Sequence, residues 1–167
     1  MRKLTTQLEL SLDGFSPGPN GRSDWFQLDP EWWERRVMRS FPSIDTVLLG
    51  QKKYEGFRQH WPDLARWPPA GKTDLSAARW LDAVPKVENT TSLSGTEWTN
   101  SRLVNDHLVG VVSGPTQGAG VDVLIMSSAR LDQQSMSRGL IDGYWLTAHP
   151  VALGSGRPPF TEQVKLT

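Results

Sequence analysis

Residues Leu4 to Leu12 set Leu4, Thr6, Leu8, Leu10 and Leu12 against Thr5, Gln7, Glu9 and Ser11. A period of two marks a β-strand, here with one face expected to be buried. Asp13-Gly14 ends the pattern, and Ser16-Pro17-Gly18-Pro19-Asn20-Gly21 reads as a long loop. Asp29-Pro30-Glu31 is a good helix start: Asp can cap, Pro fits the first helical position, and an acid suits the positive end. Phe41-Pro42 closes that helix. Thr46-Val47-Leu48-Leu49 is a short unbroken apolar run, as expected of a strand covered on both faces. Gly50 breaks it, and a helical turn follows through Lys52, Lys53, Tyr54 and Phe57. His60 to Lys72 is rich in Trp, Pro and Gly and is expected to be loop. Ser76 to Val84 reads as a short helix with Ala77, Trp80, Leu81 and Val84 on one side.

The later elements are a buried strand over Val121 to Met126, a helix over Ala129 to Arg138 stopped by Gly139, and a strand over Tyr144 to Ala148. A loop follows from Pro150 to Pro159. Lys86 to Asn89 is a weaker strand, because Glu88 and Asn89 suit a buried one badly. Asn105 to Gly120 falls where a crossover helix belongs, yet it carries Gly110, Gly114, Pro115, Gly118 and Gly120. Those residues oppose a helix by about 1 kcal/mol per Gly and about 3 kcal/mol for Pro. Strand–helix alternation of this kind predicts one three-layer α/β domain around a mainly parallel, mixed sheet.

Composition narrows the function classes. The 167 residues contain no Cys, which excludes disulfides, thiolate metal sites and a cysteine nucleophile. Eighteen basic and eighteen acidic residues cancel, so no net field draws the chain to nucleic acid or to an anionic membrane. The same balance favours self-association. Arg2 and Lys3 are not followed by an apolar stretch of signal-peptide length, and the longest apolar runs are far short of a membrane span. A cytoplasmic location is the expectation. Eight Trp call for either a core or a site lined with large aromatics.

Six phrases in order carry a family resemblance: Ser11-Leu12-Asp13-Gly14, Leu48-Leu49-Gly50-Gln51-Lys52-Lys53-Tyr54-Glu55, Pro85-Lys86, Glu97-Trp98-Thr99-Asn100, Gly139-Leu140-Ile141-Asp142 and His149-Pro150-Val151-Ala152-Leu153-Gly154-Ser155-Gly156. Together they resemble the reductases that include dihydrofolate reductase and the reductase domain of riboflavin biosynthesis, in particular small stand-alone bacterial members. The resemblance implies NADPH as cofactor and hydride transfer to a pterin- or pyrimidine-like ring, with the cofactor across the carboxyl ends of parallel strands. It also implies a further strand beyond Thr167, so the domain is expected to lack the family's last strand and to leave an edge that a second subunit could cover. A homodimer acting on a small molecule is the expected assembly.

Gly50, Gln51, Lys52 and Lys53 form a strand-to-helix junction whose free N–H groups and positive end suit a phosphate. The family usually has Arg at Gln51, which can fork onto a phosphate as Gln cannot, and Thr at Lys53. Ser127, Ser128, Ala129 and Arg130 form a second junction, where the family usually has Gly in place of Ser127. The two serines either cap the helix or donate to a phosphate. Thr90 and Thr91 stand where family members commonly contact the cofactor's adenosine side.

On the substrate side, Asp13 could face a ring N–H or serve its turn, and Trp25, Tyr54 and Phe57 could wall a flat ring. Core packing would also explain Tyr54 and Phe57. His107 and His149 have no partner pattern of metal or triad type. Two functions remain open: an NADPH-dependent reductase, or a reductase-derived fold that binds a small molecule or partner without reducing anything. A weak site for another nucleotide or a flavin would use the same helix starts.

Overall fold

A computed structural model describes residues 2–18, 21–26, 29–66, 71–90, 95–104, 108–117, 119–126 and 128–161. Six strands form one sheet: β1 (Leu4–Ser11), β2 (Ile44–Gly50), β3 (Lys86–Asn89), β4 (Ser101–Val104), β5 (Asp122–Met126) and β6 (Gly143–His149), in the order β4-β3-β2-β5-β1-β6. Five helices connect them: α1 (Pro30–Ser40), α2 (Gln51–Ala65), α3 (Lys72–Ala83), α4 (Leu108–Gln117) and α5 (Ala129–Met136). Every pairing among the described residues is parallel, so the antiparallel member expected of a mixed sheet is not found there.

The alternation of β2 and β5 sorts the core into two layers. Val47, Leu49, Leu124 and Met126 face Tyr54, Ala77 and Leu81 of α2 and α3. Leu48, Val123 and Ile125 face Val111, Val112 and Leu131 of α4 and α5. Asp29 caps α1 as expected, its carboxylate accepting from the Trp32 N–H at 2.7 Å. Gly139, with φ of 62°, stands beyond α5 in the left-handed conformation anticipated for a helix stop.

Four expectations change. β1 is buried on both faces, Thr5, Gln7 and Glu9 included, because a strand inside a parallel sheet has further layers of chain packed on each face. His60 is inside α2, not in a loop, since Tyr54, Phe57 and Trp61 form a stripe at helical spacing that packs on the core. α3 correspondingly begins at Lys72.

The stretch Asn105 to Gly120 contains α4 despite Gly110, Gly114 and Pro115. Tertiary contacts override propensity there: Val111 and Val112 are buried, worth about 1.5–3 kcal/mol each. Arg2 also takes up the helix's terminal carbonyls. Its Nη1 donates to Pro115 O at 2.7 Å and its backbone N–H to Thr116 O at 3.4 Å. The same guanidinium donates to Val121 O and Thr46 Oγ1, both at 2.8 Å, and pairs with Asp45.

Lys86 explains how a charged residue fits β3. Its ammonium donates to the carbonyls of Leu81 (2.6 Å), Asp82 (3.1 Å) and Val84 (2.8 Å), closing the end of α3, and lies 4.6 Å from the centre of the Trp98 ring. Nothing in the polarity pattern of Ser101–Val104 announces β4, which exists because β3 offers it a parallel edge.

Candidate functional site

In an all-parallel sheet the carboxyl ends of all strands share one edge. β2 and β5 are neighbours there, yet α2 leaves toward one face of the sheet and α5 toward the other. That divergence makes the two strand ends the topological switch point of the sheet, the place where the crevice of open α/β sheets binds ligands. The junctions touch: a Cβ built on Gly50 would lie 2.3 Å from Ser128 Oγ. Gly50 has φ of −83°, so space rather than backbone conformation demands glycine.

Neither helix start is capped by a side chain, and α2 has no acid in its first turn. The first N–H groups of α2 are therefore unclaimed by capping side chains, while at the start of α5 the Ser128 N–H is drawn to the Asp132 carboxyl. Thr90 follows β3 on the neighbouring side of β2 and is buried, its N–H donating to Val104 O at 3.1 Å. Lys52 and Arg130 are exposed, and Ala129 is half-buried. Gln51 spends its amide on its own helix, donating to Glu55 Oε1 at 3.0 Å. Thr91, Ser127 and His107 lie outside the described residues.

Beside this crevice, over β1, is a cleft of about 50 Å³ whose lining includes Gln7, Glu9, Phe26, Lys53, Ala129 and Asp132. Of the residues expected to meet a substrate, none lines it. Tyr54 is in the core, its hydroxyl 2.9 Å from Thr96 Oγ1. Phe57 packs edge-on to Trp61 and carries the Lys53 ammonium 4.8 Å from its ring centre. Asp13 is turned to the loop after β6, accepting from the N–H groups of Leu153 (3.1 Å) and Gly154 (2.7 Å). Hydrogen bonds from Ser11 and then Leu153 hold its carboxyl down at about 2. The expected wall of Trp25, Tyr54 and Phe57 is therefore not assembled. Trp25 instead packs edge-on to Phe26 and to His149, with centroids 4.5 and 5.5 Å away.

The groups the cleft does gather are ones the sequence pattern concealed. Glu9 is buried and accepts from Gln7 Nε2 at 2.8 Å, and its other oxygen lies 2.8 Å from His149 Nε2. The Phe26 ring stacks on His149 at 5.2 Å and 10°. Asp132, on α5, is 1% exposed and accepts the Thr6 hydroxyl on Oδ1. Burial pushes its carboxyl up to about 7, with the Thr6 hydrogen bond opposing. Burial likewise pushes the Lys53 ammonium down, against the attraction of Glu9. His149, judged alone to be without a partner pattern, thus has a buried carboxylate beside it. The chain carried no local signal for this: Gln7 and Glu9 are turned inward because β1 lies inside a parallel sheet covered on both faces.

A mainly parallel α/β sheet with its crevice at the β2–β5 junction is the architecture of dihydrofolate-reductase-like proteins. The model of the RibD C-terminal domain matches residues 2–167, and the chain belongs to that family. It is 28% identical over 162 residues to the uncharacterised protein YyaP of Bacillus subtilis, covering 96% of this chain and 81% of that one. It is 27% identical over 161 residues to YwjB of the same organism, covering 96% and 84%. Among solved structures, a "Putative riboflavin biosynthesis protein" from a Shewanella species superposes with a TM-score of 0.68 at 19% identity, covering 96% of this chain and 84% of that one. A diaminohydroxyphosphoribosylaminopyrimidine deaminase/5-amino-6-(5-phosphoribosylamino)uracil reductase from Thermotoga maritima gives 0.59 at 14% identity, with 98% of this chain and 49% of that one covered. Among the described residues, no helix is long and apolar enough to cross a membrane.

Proposed function

We propose that this chain is an NADPH-dependent reductase of a small heterocyclic, pterin- or pyrimidine-like compound. The observation that carries the reading is the contact between Gly50 and Ser128, which brings two helix starts uncapped by side chains to one crevice. The junction suits a pyrophosphate in one respect: it offers backbone N–H groups at positive helix ends, and Gly50 lets the Ser128 hydroxyl lie against them. Lys52, Lys53, Ala129, Arg130 and the backbone N–H of Gln51 would hold the dinucleotide there, which supplies the hydride when bound. Thr90 stands on the adjoining strand end.

The protein's own work would be positioning. Phe26 offers an apolar face to a flat ring, Gln7 an amide oxygen without a partner, and Lys53 and Asp132 polar heads in a half-closed cleft. Glu9 and His149 hold Gln7 and Phe26 in place behind them. Membership in the RibD C-terminal domain family supports a reductase role.

A binding protein of the same descent that reduces nothing is the second reading. It is favoured by the Gln51 amide, which is engaged with Glu55 where the family's Arg would reach a phosphate. Titration with NADPH, following the fluorescence of the reduced nicotinamide, separates the two. Saturable binding at micromolar cofactor supports the reductase, and silence at millimolar cofactor leaves the binding protein.

A further inference from the structure

The Asp132 carboxyl presents an asymmetry that the fold does not resolve internally. Oδ1 accepts the Thr6 hydroxyl, whereas Oδ2 is buried with no hydrogen-bond partner among the described residues. Asp132 makes no ion pair among the described residues, and it lines the same cleft as Gln7, whose Oε1 is also buried without a partner. Two buried polar atoms without partners in one cleft call for an explanation, which the donor and acceptor atoms of a bound ligand would supply.

The charged and titratable groups around Asp132 come from three other elements. Lys53 of α2 and Glu9 of β1 line the cleft with it, with His149 of β6 behind Glu9. Tyr144, also on β6, has its phenol pushed up by burial and by the Asp132 charge. On its own helix Arg130 is exposed. An ionised Asp132 would stand as a buried charge with only the Thr6 hydroxyl and the Ser128 N–H to offset its lost hydration, which is costly. A neutral Asp132 has one proton to place, and Oδ2 is the oxygen left for it.

Resting on the substrate-side reading of the cleft, we propose that Asp132 is the binding residue that donates a hydrogen bond from Oδ2 to an acceptor atom, a ring carbonyl or imine-type nitrogen, of a neutral heterocycle. It follows that the cleft takes its ligand in the pH range where this carboxyl keeps its proton. Its position near pH 7 puts the loss of binding within reach of ordinary buffers.

Two measurements test this without reference to turnover. The first follows the Asp132 carboxyl carbon by NMR in aspartate-labelled protein, assigned with Asp132→Asn. The second follows binding of 2-pyridone, a small neutral carbonyl acceptor, across the same pH range. The carboxyl should titrate near neutrality, and 2-pyridone affinity should weaken about tenfold per pH unit above that midpoint. Asp132→Asn keeps a donor of the same shape and should bind 2-pyridone with no pH dependence, while Asp132→Leu should lose it. A carboxyl that titrates in the ordinary aspartate range, 2-pyridone binding independent of pH, or no 2-pyridone binding at any pH would each overturn the proposal. NADPH titration of Asp132→Asn keeps the two readings apart. Failure of cofactor binding in the parent protein sinks the reductase, whereas the carboxyl titration judges Asp132 alone.

Discussion

Along the carboxyl edge of the sheet, the β2–β5 side offers backbone and the β1–β6 side offers side chains. At Gly50 and Ser128 the available groups are amide N–H donors at two helix starts, fixed in place by the fold and incapable of titrating. At Gln7, Glu9, Asp132 and His149 they are buried polar side chains. Two aspartates show how far surroundings reach. Asp13 is exposed and saturated with hydrogen bonds from Ser11, Leu153 and Gly154, and it sits at about 2. Asp132 is buried with the Thr6 hydroxyl on one oxygen, and it sits at about 7. One edge thus sets backbone donors that cannot titrate beside a buried carboxyl that burial pushes up to about 7.

The largest expected effect is on the side-chain half. Glu9→Ala should destabilise the protein by about 2–5 kcal/mol, because it removes two buried hydrogen-bonding contacts, to Gln7 Nε2 and His149 Nε2, at about 1–3 kcal/mol each. Urea denaturation at neutral pH measures this, and a loss under about 1 kcal/mol would show that the network is solvated after all.

Next in size is Asp132→Asn. The unfolded chain ionises this group near 3.8 and the folded protein only near about 7, so unfolding releases a proton between those values. Stability should therefore fall as pH rises from about 4 to about 7, by on the order of 2–4 kcal/mol. The Asn variant should remove that fall and be the more stable protein at neutral pH, as read by denaturation at several pH values. A parent protein whose stability is flat over this range would contradict the difference drawn between the two aspartates.

Gly50→Ala probes the backbone half. The new methyl meets Ser128 Oγ, and overpacking of this kind costs about 1–3 kcal/mol. NADPH affinity should drop with it, and adding Ser128→Ala should restore part of both losses, since the two residues are in contact. A Gly50→Ala variant that binds NADPH as the parent does would remove the crevice from the cofactor reading.

The smallest effect belongs to Asp13→Asn. Its depressed carboxyl contributes stability that is present above pH 3.8 and lost as pH falls through about 2. Thermal melts should show a slightly lower Tm for the variant at neutral pH and convergence of the two proteins in acid.

The backbone half of the edge was legible from the chain. A buried run ending in Gly50 and another ending before Ser128 are local signals, and parallel strands oblige their ends to meet at one edge. The side-chain half was not. Glu9 and His149 stand 140 positions apart, and Thr6 and Asp132 stand 126 apart, so no spacing rule could pair them. Gln7 and Glu9 alternate with leucines as a solvent-facing row would, and only the placement of β1 between β5 and β6 turns that row inward.

Helix α4 and strand β3 follow the same logic, since Arg2 and Lys86 close helix ends that local preference would have left open. Period and punctuation thus specified most of the elements, the parallel sheet and the two strand-to-helix junctions, because those depend on neighbours within a few residues. The cleft depends on which polar groups are denied water and which partners they find across the sheet. That is settled only when the strands have taken their order.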